Sequence, residues 1–186
     1  MIEAELKARL SNPAAVRAAL AARATPTRAI YQDIYYDTTG EDLDHTGREL
    51  RLRTVDSGDV RIHLLTFKEP AVHEESGSKP EHESTVGTPQ AVDHLLRALG
   101  YHPLIELTKN CENYRLSHAG RDFLATVVEV PEVEGTFLEV ETMTEVPDVD
   151  KALADTRDLL DQLGVTANEL TTELYTDAVR AAHGPR

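Results

Sequence analysis

Hydrophobic and charged residues alternate strictly in the first nine residues of the chain. The even positions from Ile2 to Ala8 are apolar, and the odd positions from Glu3 to Arg9 are charged. Because successive side chains of a β-strand point to opposite faces, this pattern predicts a strand with one apolar and one charged face. Two interpretations of the charged face are open: contact with bulk water, or one wall of a cavity that holds a divalent metal and an anion.

Four later segments have the signals of helices. A polar capping residue followed by proline opens the first two, at Asn12-Pro13 and Thr88-Pro89, and glycines end the second and third, at Gly100 and Gly164. The predicted helices cover residues 14–22, 90–99, 149–163 and 168–182.

Short segments rich in β-branched, aromatic or alternating residues predict strands between these helices. The acidic, Gly- and Ser-containing stretch from His73 to Lys79 is the best candidate for a mobile loop. Eight or nine strands, mostly antiparallel, predict an α+β fold, and eight antiparallel strands can close into a barrel. Besides the first strand, the predicted strands cover residues 28–37, 48–54, 60–68, 80–86, 102–109, 114–118, 123–130 and 136–142.

Composition restricts the partners and the compartment. With 33 acidic against 19 basic residues and a net charge of −14, non-specific binding to nucleic acid or to an anionic membrane is not expected. The single cysteine, Cys111, excludes an intramolecular disulfide and fits a reducing compartment. Without a signal-peptide pattern or an apolar run of about 18 residues, we expect a cytoplasmic protein. No repeat or linker divides the chain, so residues 1–186 are expected to form a single domain.

Cations and paired carboxylates are segregated onto different predicted strands. If these charged faces line the lumen of a barrel, the cations would neutralise a polyanion, and the carboxylates would hold a hard cation through oxygen ligands. A polyphosphate complex with Mg²⁺ or Mn²⁺ needs both kinds of group. The cations are Arg51, Arg53, Lys68 and Lys109, and the carboxylate pairs are Glu3 with Glu5 and Glu139 with Glu141.

Five segments occur in a particular order along the chain. They are Glu3-Ala4-Glu5-Leu6-Lys7, Arg51-Leu52-Arg53, Leu65-Thr66-Phe67-Lys68, the region of Lys109, and Phe137-Leu138-Glu139-Val140-Glu141. In this order they resemble the CYTH superfamily, the triphosphate tunnel metalloenzymes. The first segment is similar to the ExExK signature of that superfamily, and the last is similar to its late acidic strand.

Two further features resemble the class IV adenylyl cyclase branch of this superfamily: Tyr175-Thr176-Asp177 and Leu99-Gly100-Tyr101-His102-Pro103. The overall length is also similar to that branch. The resemblance implies an α+β fold built on an eight-stranded antiparallel β-barrel, open as a tunnel, with helices packed outside. It also implies a lumen that binds a triphosphate, either ATP or tripolyphosphate, together with Mg²⁺ or Mn²⁺.

The resemblance assigns roles to individual positions. Glu129, eight residues before Phe137, stands where the family commonly has a metal-binding Asp, and its longer side chain could still reach a metal. The implied phosphate-binding residues are Lys7, Arg51, Arg53, Lys68 and Lys109, and the other implied metal ligands, direct or through water, are Glu3, Glu5, Glu139 and Glu141.

Two positions depart from the family pattern, and both departures reduce the positive charge of the lumen. Cys111 stands where the family usually has a second cation after Lys109, and Glu81 stands where an Arg often precedes the Glu matched by Glu83. Arg115 is a candidate substitute for the missing phosphate-binding cation.

Three functions are compatible with such a lumen. In a class IV-type adenylyl cyclase, metal ions would activate the ribose 3′-hydroxyl for attack on the α-phosphorus of ATP. In a triphosphatase, water would attack the terminal phosphorus of tripolyphosphate, thiamine triphosphate or a nucleoside triphosphate. The third is a non-catalytic polyphosphate- or nucleotide-binding module. We favour the cyclase because the length of the chain and its carboxyl-terminal segment resemble the class IV adenylyl cyclase branch.

The remaining polar and apolar features favour structural roles. Tyr35, Tyr36 and Tyr114 are expected to pack, and Asp33 fits the acidic lining, a turn or solvent equally well. The leucine stripe of the helix over 149–163 is expected to pack on the barrel exterior, and part of it could form a dimer contact, so both a monomer and a homodimer are open.

Overall fold

The computed structural model describes residues 1–73 and 76–183. Within these ranges, eight strands close into an antiparallel barrel, which confirms the predicted α+β fold. The strands are β1 Ile2–Arg9, β2 Thr27–Asp37, β3 Glu49–Asp56, β4 Arg61–Lys68, β5 Lys79–Thr85, β6 His102–His118, β7 Arg121–Glu129 and β8 Phe137–Thr144. Around the barrel the strands follow the order β1-β5-β4-β3-β2-β6-β7-β8.

The helices that pack on this barrel are α1 Pro13–Ala21, α2 Pro89–Ala98, α3 Val149–Gln162 and α4 Tyr175–His183. Three of them, α1, α2 and α3, cover part of the outside of the barrel, whereas α4 packs on inward-facing residues of β6, β7 and β8. The apolar faces of β1, β7 and β8 pack against α1 and α3 in one buried cluster, so the outer side of these strands forms the main core. Across the described ranges, none of the helices has the length and apolar character that a membrane-spanning helix requires.

The longest strand, β6, differs from the prediction of two strands at 102–109 and 114–118. It runs without interruption for 17 residues. Polar residues Asn110, Glu112 and Asn113 suggested a break, but this segment pairs with β2 on one side and β7 on the other. Glu112 also has cationic partners on the outer surface, at 3.3 Å from Arg17 and 3.6 Å from Arg28. Pairing on both edges therefore overrides the low strand propensity of these residues.

The last helix begins at Tyr175, later than the predicted start at residue 168. A short 3₁₀ turn with a Thr166–Glu169 capping box comes first. The next residues run along β1: Leu170 bridges Ala8, and the Thr171 amide donates to the Lys7 carbonyl at 2.9 Å. This tertiary pairing keeps residues 170–174 out of the helix and brings Tyr175 to the barrel.

The predicted mobile loop at 73–79 is described only in part, because residues 74 and 75 lie outside the described residues. Beside them, the His73 Nδ1 and Ser76 Oγ atoms are 3.0 Å apart, and Ser78 is buried. Residues 76–78 contribute to the wall of the central cavity.

Candidate functional site

The charged faces of the strands point into the barrel. On β1 the even positions from Ile2 to Ala8 are buried against the core, whereas Glu3, Glu5 and Lys7 line a central cavity. This cavity has a volume of about 1960 Å³ and is lined by side chains from all eight strands. The alternation at the start of the chain therefore separates a hydrophobic core outside the barrel from a polar lumen inside it.

Three carboxylates, from Glu3, Glu5 and Glu141, converge where β1 meets β8. Glu5 and Glu141 are direct cross-strand partners, and one ligand oxygen from each of the three residues lies within 4.8 Å of the others. Burial raises the pKa of Glu5 to about 7, and repulsion from Glu139 adds to the effect. Burial and the charge of Glu3 likewise raise the pKa of Glu141 well above its usual value.

This carboxylate cluster fits a hard divalent cation. Burial raises the pKa values of Glu5 and Glu141, and repulsion between the buried like charges raises them further. Oxygen ligands at this spacing are the donor set that Mg²⁺ and Mn²⁺ prefer, and a bound cation would remove the repulsion. Glu3, Glu5 and Glu141 are thus the residues that could hold the metal directly.

Glu139, the inward-facing residue that precedes Glu141 on β8, is instead balanced by cations. The Lys109 ammonium lies 3.4 Å from its carboxylate. Burial opposes ionisation of Glu139, but Lys109 and Lys7 outweigh it and hold the pKa of Glu139 below its usual value. The Lys7 ammonium donates to the carbonyl of Glu173, in the segment that leads into α4.

Two arginines of β3 face the lumen and differ in how completely their guanidinium groups are hydrogen-bonded. Arg53 forms a bidentate pair with the buried Asp33, through bonds of 2.6 and 2.7 Å. Arg51 is 8 % exposed and reaches the Thr66 hydroxyl at 3.4 Å, but its Nε finds no hydrogen-bond partner in the described part of the chain. A buried guanidinium N–H without an acceptor is costly, and a phosphate oxygen would satisfy it.

Lys68 links the carboxylate cluster to β5. Its ammonium forms an ion pair with Glu3 and lies 3.0 Å from the Glu81 carboxylate. Burial alone would raise the pKa of Glu3, but the charge of Lys68 outweighs it, and the value falls to about 2. Glu81, the residue that departs from the family pattern, therefore neutralises part of a cation in the lumen.

The structure brings nearly all of the predicted site residues into one cavity. Arg115 also lines it, as an exposed side chain. Glu129 does not reach it: its carboxylate binds Arg17 at 2.7 Å on the outer surface. The cause is strand parity, because Thr126 of β7 faces the cavity and Glu129 is an odd number of residues away. The predicted residues that line the lumen are Glu3, Glu5, Lys7, Arg51, Arg53, Lys68, Lys109, Glu139 and Glu141.

Cys111 is buried two residues beyond Lys109 on β6. Burial raises the pKa of its thiol to about 12, so the side chain is neutral at physiological pH. The structure thus has no charge at this position, and Arg115, further along the same strand, is the next cation that lines the cavity.

Two residues of the lumen, Asp33 and Tyr175, have no predicted binding role. The sequence leaves the acidic lining open as one of three roles for Asp33, and Tyr175 stands in a segment that resembles the class IV cyclase branch. Asp33 is the direct cross-strand partner of Arg53, so a correct β2–β3 register would have identified the pair. Tyr175 reaches the lumen only because the segment before α4 folds back along β1, and no local pattern predicts that contact. Tyr36 and Tyr114 pack in the core as predicted, whereas Tyr35 lines the cavity.

Comparisons with known proteins agree with this architecture. The chain is 28% identical over 183 residues to the adenylate cyclase CyaB of Aeromonas hydrophila, covering 93% of this chain and 86% of that protein. The structure of the PH1819 protein from Pyrococcus horikoshii superposes with a TM-score of 0.81 at 26% identity, covering 93% and 95% of the two chains.

A second similar structure is that of the Hippeastrum protein HpAC1, described as revealing a dominant triphosphatase activity. It has a TM-score of 0.67 at 20% identity and covers 97% of this chain and 96% of its own. The family model of the CYTH domain matches residues 1–175, almost the whole chain. The chain belongs to the CYTH domain family.

Proposed function

We propose that this protein binds a triphosphate with Mg²⁺ or Mn²⁺ in the barrel lumen and converts ATP to cyclic AMP and pyrophosphate. The observation that carries the proposal is the division of one lumen into a carboxylate cluster, whose charge Lys68 balances only in part, and a set of cations. Glu3, Glu5 and Glu141 lie together on one side, and the unsatisfied Nε of Arg51 lies across the barrel on β3.

The metal would be held by Glu3, Glu5 and Glu141, with Glu139 close enough on β8 to contribute through water. A metal ion at this cluster would neutralise phosphate charge and lower the pKa of the attacking hydroxyl. The carboxylates themselves orient the ion, and the fixed strand register keeps their spacing.

The cations of the lumen would bind the phosphate oxygens. Arg51 can offer its Nε–H, and Lys7 and Lys109 lie together at the end nearest α4. At an effective dielectric constant of about 20, a charge pair about 4 Å apart contributes roughly 4 kcal/mol, so several cations that converge would bind a triphosphate well and stabilise the departing pyrophosphate.

The size and lining of the cavity support a nucleotide substrate. Its volume of about 1960 Å³ exceeds the roughly 300–1,000 Å³ that small-molecule pockets usually have. Apolar side chains also line it, at Val55, Ile62, Leu64, Leu124 and Met143, and these could contact a nucleoside but not a phosphate. The similarity to a relative named adenylate cyclase points in the same direction.

The alternative is a triphosphatase that hydrolyses tripolyphosphate, thiamine triphosphate or a nucleoside triphosphate. The same carboxylates and cations would serve it, with water in place of the ribose hydroxyl. The similarity to HpAC1, with its dominant triphosphatase activity, supports this candidate.

A product assay distinguishes the candidates. The protein is incubated with Mn²⁺ and either ATP or tripolyphosphate, and the products are separated by chromatography. Cyclic AMP with pyrophosphate supports the cyclase, and orthophosphate supports the triphosphatase. Tight binding with neither product would leave a non-catalytic binding module, for which Glu81 and Cys111 provide the structural reason.

Matched variants test the site itself. Glu5→Gln is expected to reduce metal-dependent turnover by at least about a hundredfold, since it removes a metal ligand. Glu129→Gln makes the same chemical change on the outer surface and should leave turnover near that of the wild type. Equal activity of Glu5→Gln and wild type would refute the assignment of the lumen as the active site.

A further inference from the structure

We propose that Tyr175 forms the terminal contact of the triphosphate site: its ring positions Lys7 and Lys109, and its hydroxyl donates a hydrogen bond to the phosphate group at the end of the substrate. This inference rests on the proposed binding of a triphosphate in the lumen, and it adds a residue that approaches from outside the barrel strands.

The ring of Tyr175 contacts both lysines that face Glu139. The Lys7 Nζ lies 4.6 Å from the ring centroid, and the Lys109 Nζ lies 4.2 Å from it. Both distances are within the cation–π range, in which the face of an aromatic ring attracts an ammonium group. One side chain therefore contacts both cations, in addition to Glu139 at Lys109 and the Glu173 carbonyl at Lys7.

The Tyr175 ring is itself held firmly. It packs edge-on against Phe137 at 5.3 Å between ring centroids, and it is only 7 % exposed. The backbone before it is fixed by the Thr171 bond to β1, and α4 is anchored by buried Val179 and by Arg180, whose Nη1 lies 3.4 Å from Glu41. A ring held at both ends in this way can act as a fixed wall of the site.

On one side, Tyr175 packs into a cluster of buried hydrophobic residues. Its buried members are Ile105, Leu107, Cys111, Val128, Val130, Phe137, Tyr175 and Val179. Among the buried members of this cluster in the described part of the chain, Tyr175 is the one that also lines the cavity. We therefore place the end of the phosphate chain at Tyr175, on the side of Lys7 and Lys109.

The hydroxyl of Tyr175 is available as a donor at this end. It is buried and makes no hydrogen bond of normal geometry to any residue in 1–73 or 76–183, and the acidic group that it faces is the Glu139 carboxylate. Buried hydroxyls without a partner are rare and costly in native proteins, and a phosphate oxygen placed between Lys7 and Lys109 would supply the acceptor.

Binding measurements with two substitutions separate the ring from the hydroxyl. Titration calorimetry with tripolyphosphate and Mg²⁺ is performed on wild type, Tyr175→Phe and Tyr175→Leu. Tyr175→Phe removes only the hydrogen bond, and we expect the affinity to fall by about fivefold to tenfold. Tyr175→Leu also removes the cation–π contacts, and we expect a larger loss, on the order of fiftyfold.

Tyr114→Phe is the matched control. Tyr114 is also buried, but its hydroxyl donates to Glu112 at 3.2 Å and its ring packs in the core outside the barrel. This variant should bind tripolyphosphate as the wild type does. Thermal unfolding of each variant checks that the barrel is intact.

A spectroscopic measurement distinguishes direct contact from a structural effect. With 3-fluorotyrosine incorporated, the ¹⁹F signal that is absent in Tyr175→Phe is assigned to residue 175, and we expect it to shift on addition of tripolyphosphate with Mg²⁺ while the Tyr114 signal stays in place. If the wild type binds but Tyr175→Phe binds equally well and the signal does not move, the role of Tyr175 is refuted and the proposed function stands. If Tyr114→Phe loses as much affinity as Tyr175→Phe, the contact is likewise refuted. If the wild type binds no tripolyphosphate, both proposals fail together.

Discussion

Two groups of buried acids share the lumen and differ in what balances their charge. Asp33 is completely enclosed, and both of its oxygens accept bonds from Arg53, at 2.6 and 2.7 Å. Glu3, Glu5 and Glu141 lie within 4.8 Å of one another, and Lys68, the cation paired with Glu3, is shared with Glu81. Burial opposes ionisation in both places, yet Arg53 holds the pKa of Asp33 below its usual value, whereas the pKa of Glu5 rises to about 7.

The difference shows that burial of charge does not by itself identify a binding site. A buried pair with complete hydrogen bonding is part of the fold, and removal of one partner damages stability. A buried cluster of one sign is incomplete until a counter-ion arrives, and its excess charge is available for function. The same barrel thus uses Asp33 to fix an arginine and uses Glu3, Glu5 and Glu141 to attract a metal.

The largest expected effect comes from breaking the complete pair. Arg53→Met leaves the Asp33 charge buried without a partner, so we expect the free energy of unfolding to fall by about 3–5 kcal/mol, measured by urea denaturation. The double variant Asp33→Asn/Arg53→Met should recover part of this loss, because no charge is then left unpaired. Arg61→Met is the control: it breaks the exposed pair with Asp56 and should lower the free energy of unfolding far less, because exposed ion pairs contribute little. Equal effects of the two single variants would contradict the special status of the Asp33–Arg53 pair.

In the metal-free carboxylate cluster of Glu3, Glu5 and Glu141, removal of one charge should increase the free energy of unfolding at neutral pH. In EDTA, the folded protein binds the Glu5 proton more tightly than the unfolded chain, since the pKa rises from 4.5 to about 7. This stabilising contribution is fully present below pH 4.5 and is lost as the pH rises through 7. Gln at this position does not titrate, so Glu5→Gln should become more stable than wild type as the pH rises, by at most about 3 kcal/mol at about 1.4 kcal/mol per pKa unit.

Thermal and urea unfolding at pH 4.5, 6 and 8 would measure this difference in metal-free buffer. With saturating Mn²⁺ the order should reverse, because the metal stabilises only a folded protein that retains its ligands. A metal-free Glu5→Gln variant that is less stable than wild type at pH 8 would contradict the description of the cluster as repulsive.

The smallest expected effect comes from Glu81, whose carboxylate partly neutralises Lys68 in the lumen. Glu81→Gln leaves Lys68 with Glu3 as its acidic partner and removes one negative charge from the lumen, so we expect the affinity for tripolyphosphate to rise by about threefold to tenfold in calorimetry. Glu132→Gln makes the same change in net charge at an exposed position and should leave affinity within about twofold. A loss of affinity in Glu81→Gln would instead indicate that Glu81 itself takes part in metal binding.

Strand alternation made the barrel predictable, because it is a local property of the sequence. The charged odd positions of β1, and the Arg51–Arg53 and Glu139–Glu141 pairs, identified the faces that line the lumen. Turn residues and helix caps located most boundaries within a few residues. The resemblance of the ordered segments to the CYTH superfamily supplied closure into a tunnel, which alternation alone leaves open.

The errors have a common cause: each depends on a contact between distant parts of the chain. The polar residues at 110–113 stay in β6 because two neighbouring strands pair with them, and the start of α4 is delayed by contacts with β1. Glu129 was assigned by its distance from Phe137 along the chain, whereas the parity of β7 places it outside. The role of Asp33, as a lining acid, a turn residue or a solvent-exposed residue, could not be decided from the sequence, because it depends on the strand register that places Asp33 opposite Arg53.

The most direct test of the account is the position of a bound metal. Crystals grown with Mn²⁺ and tripolyphosphate are measured at a wavelength that gives anomalous scattering from manganese. The account predicts an anomalous peak coordinated by Glu3, Glu5 and Glu141, with the phosphate chain extending toward Arg51, Lys109 and Tyr175. Manganese bound elsewhere, with these three carboxylates unliganded at saturating metal, would contradict it.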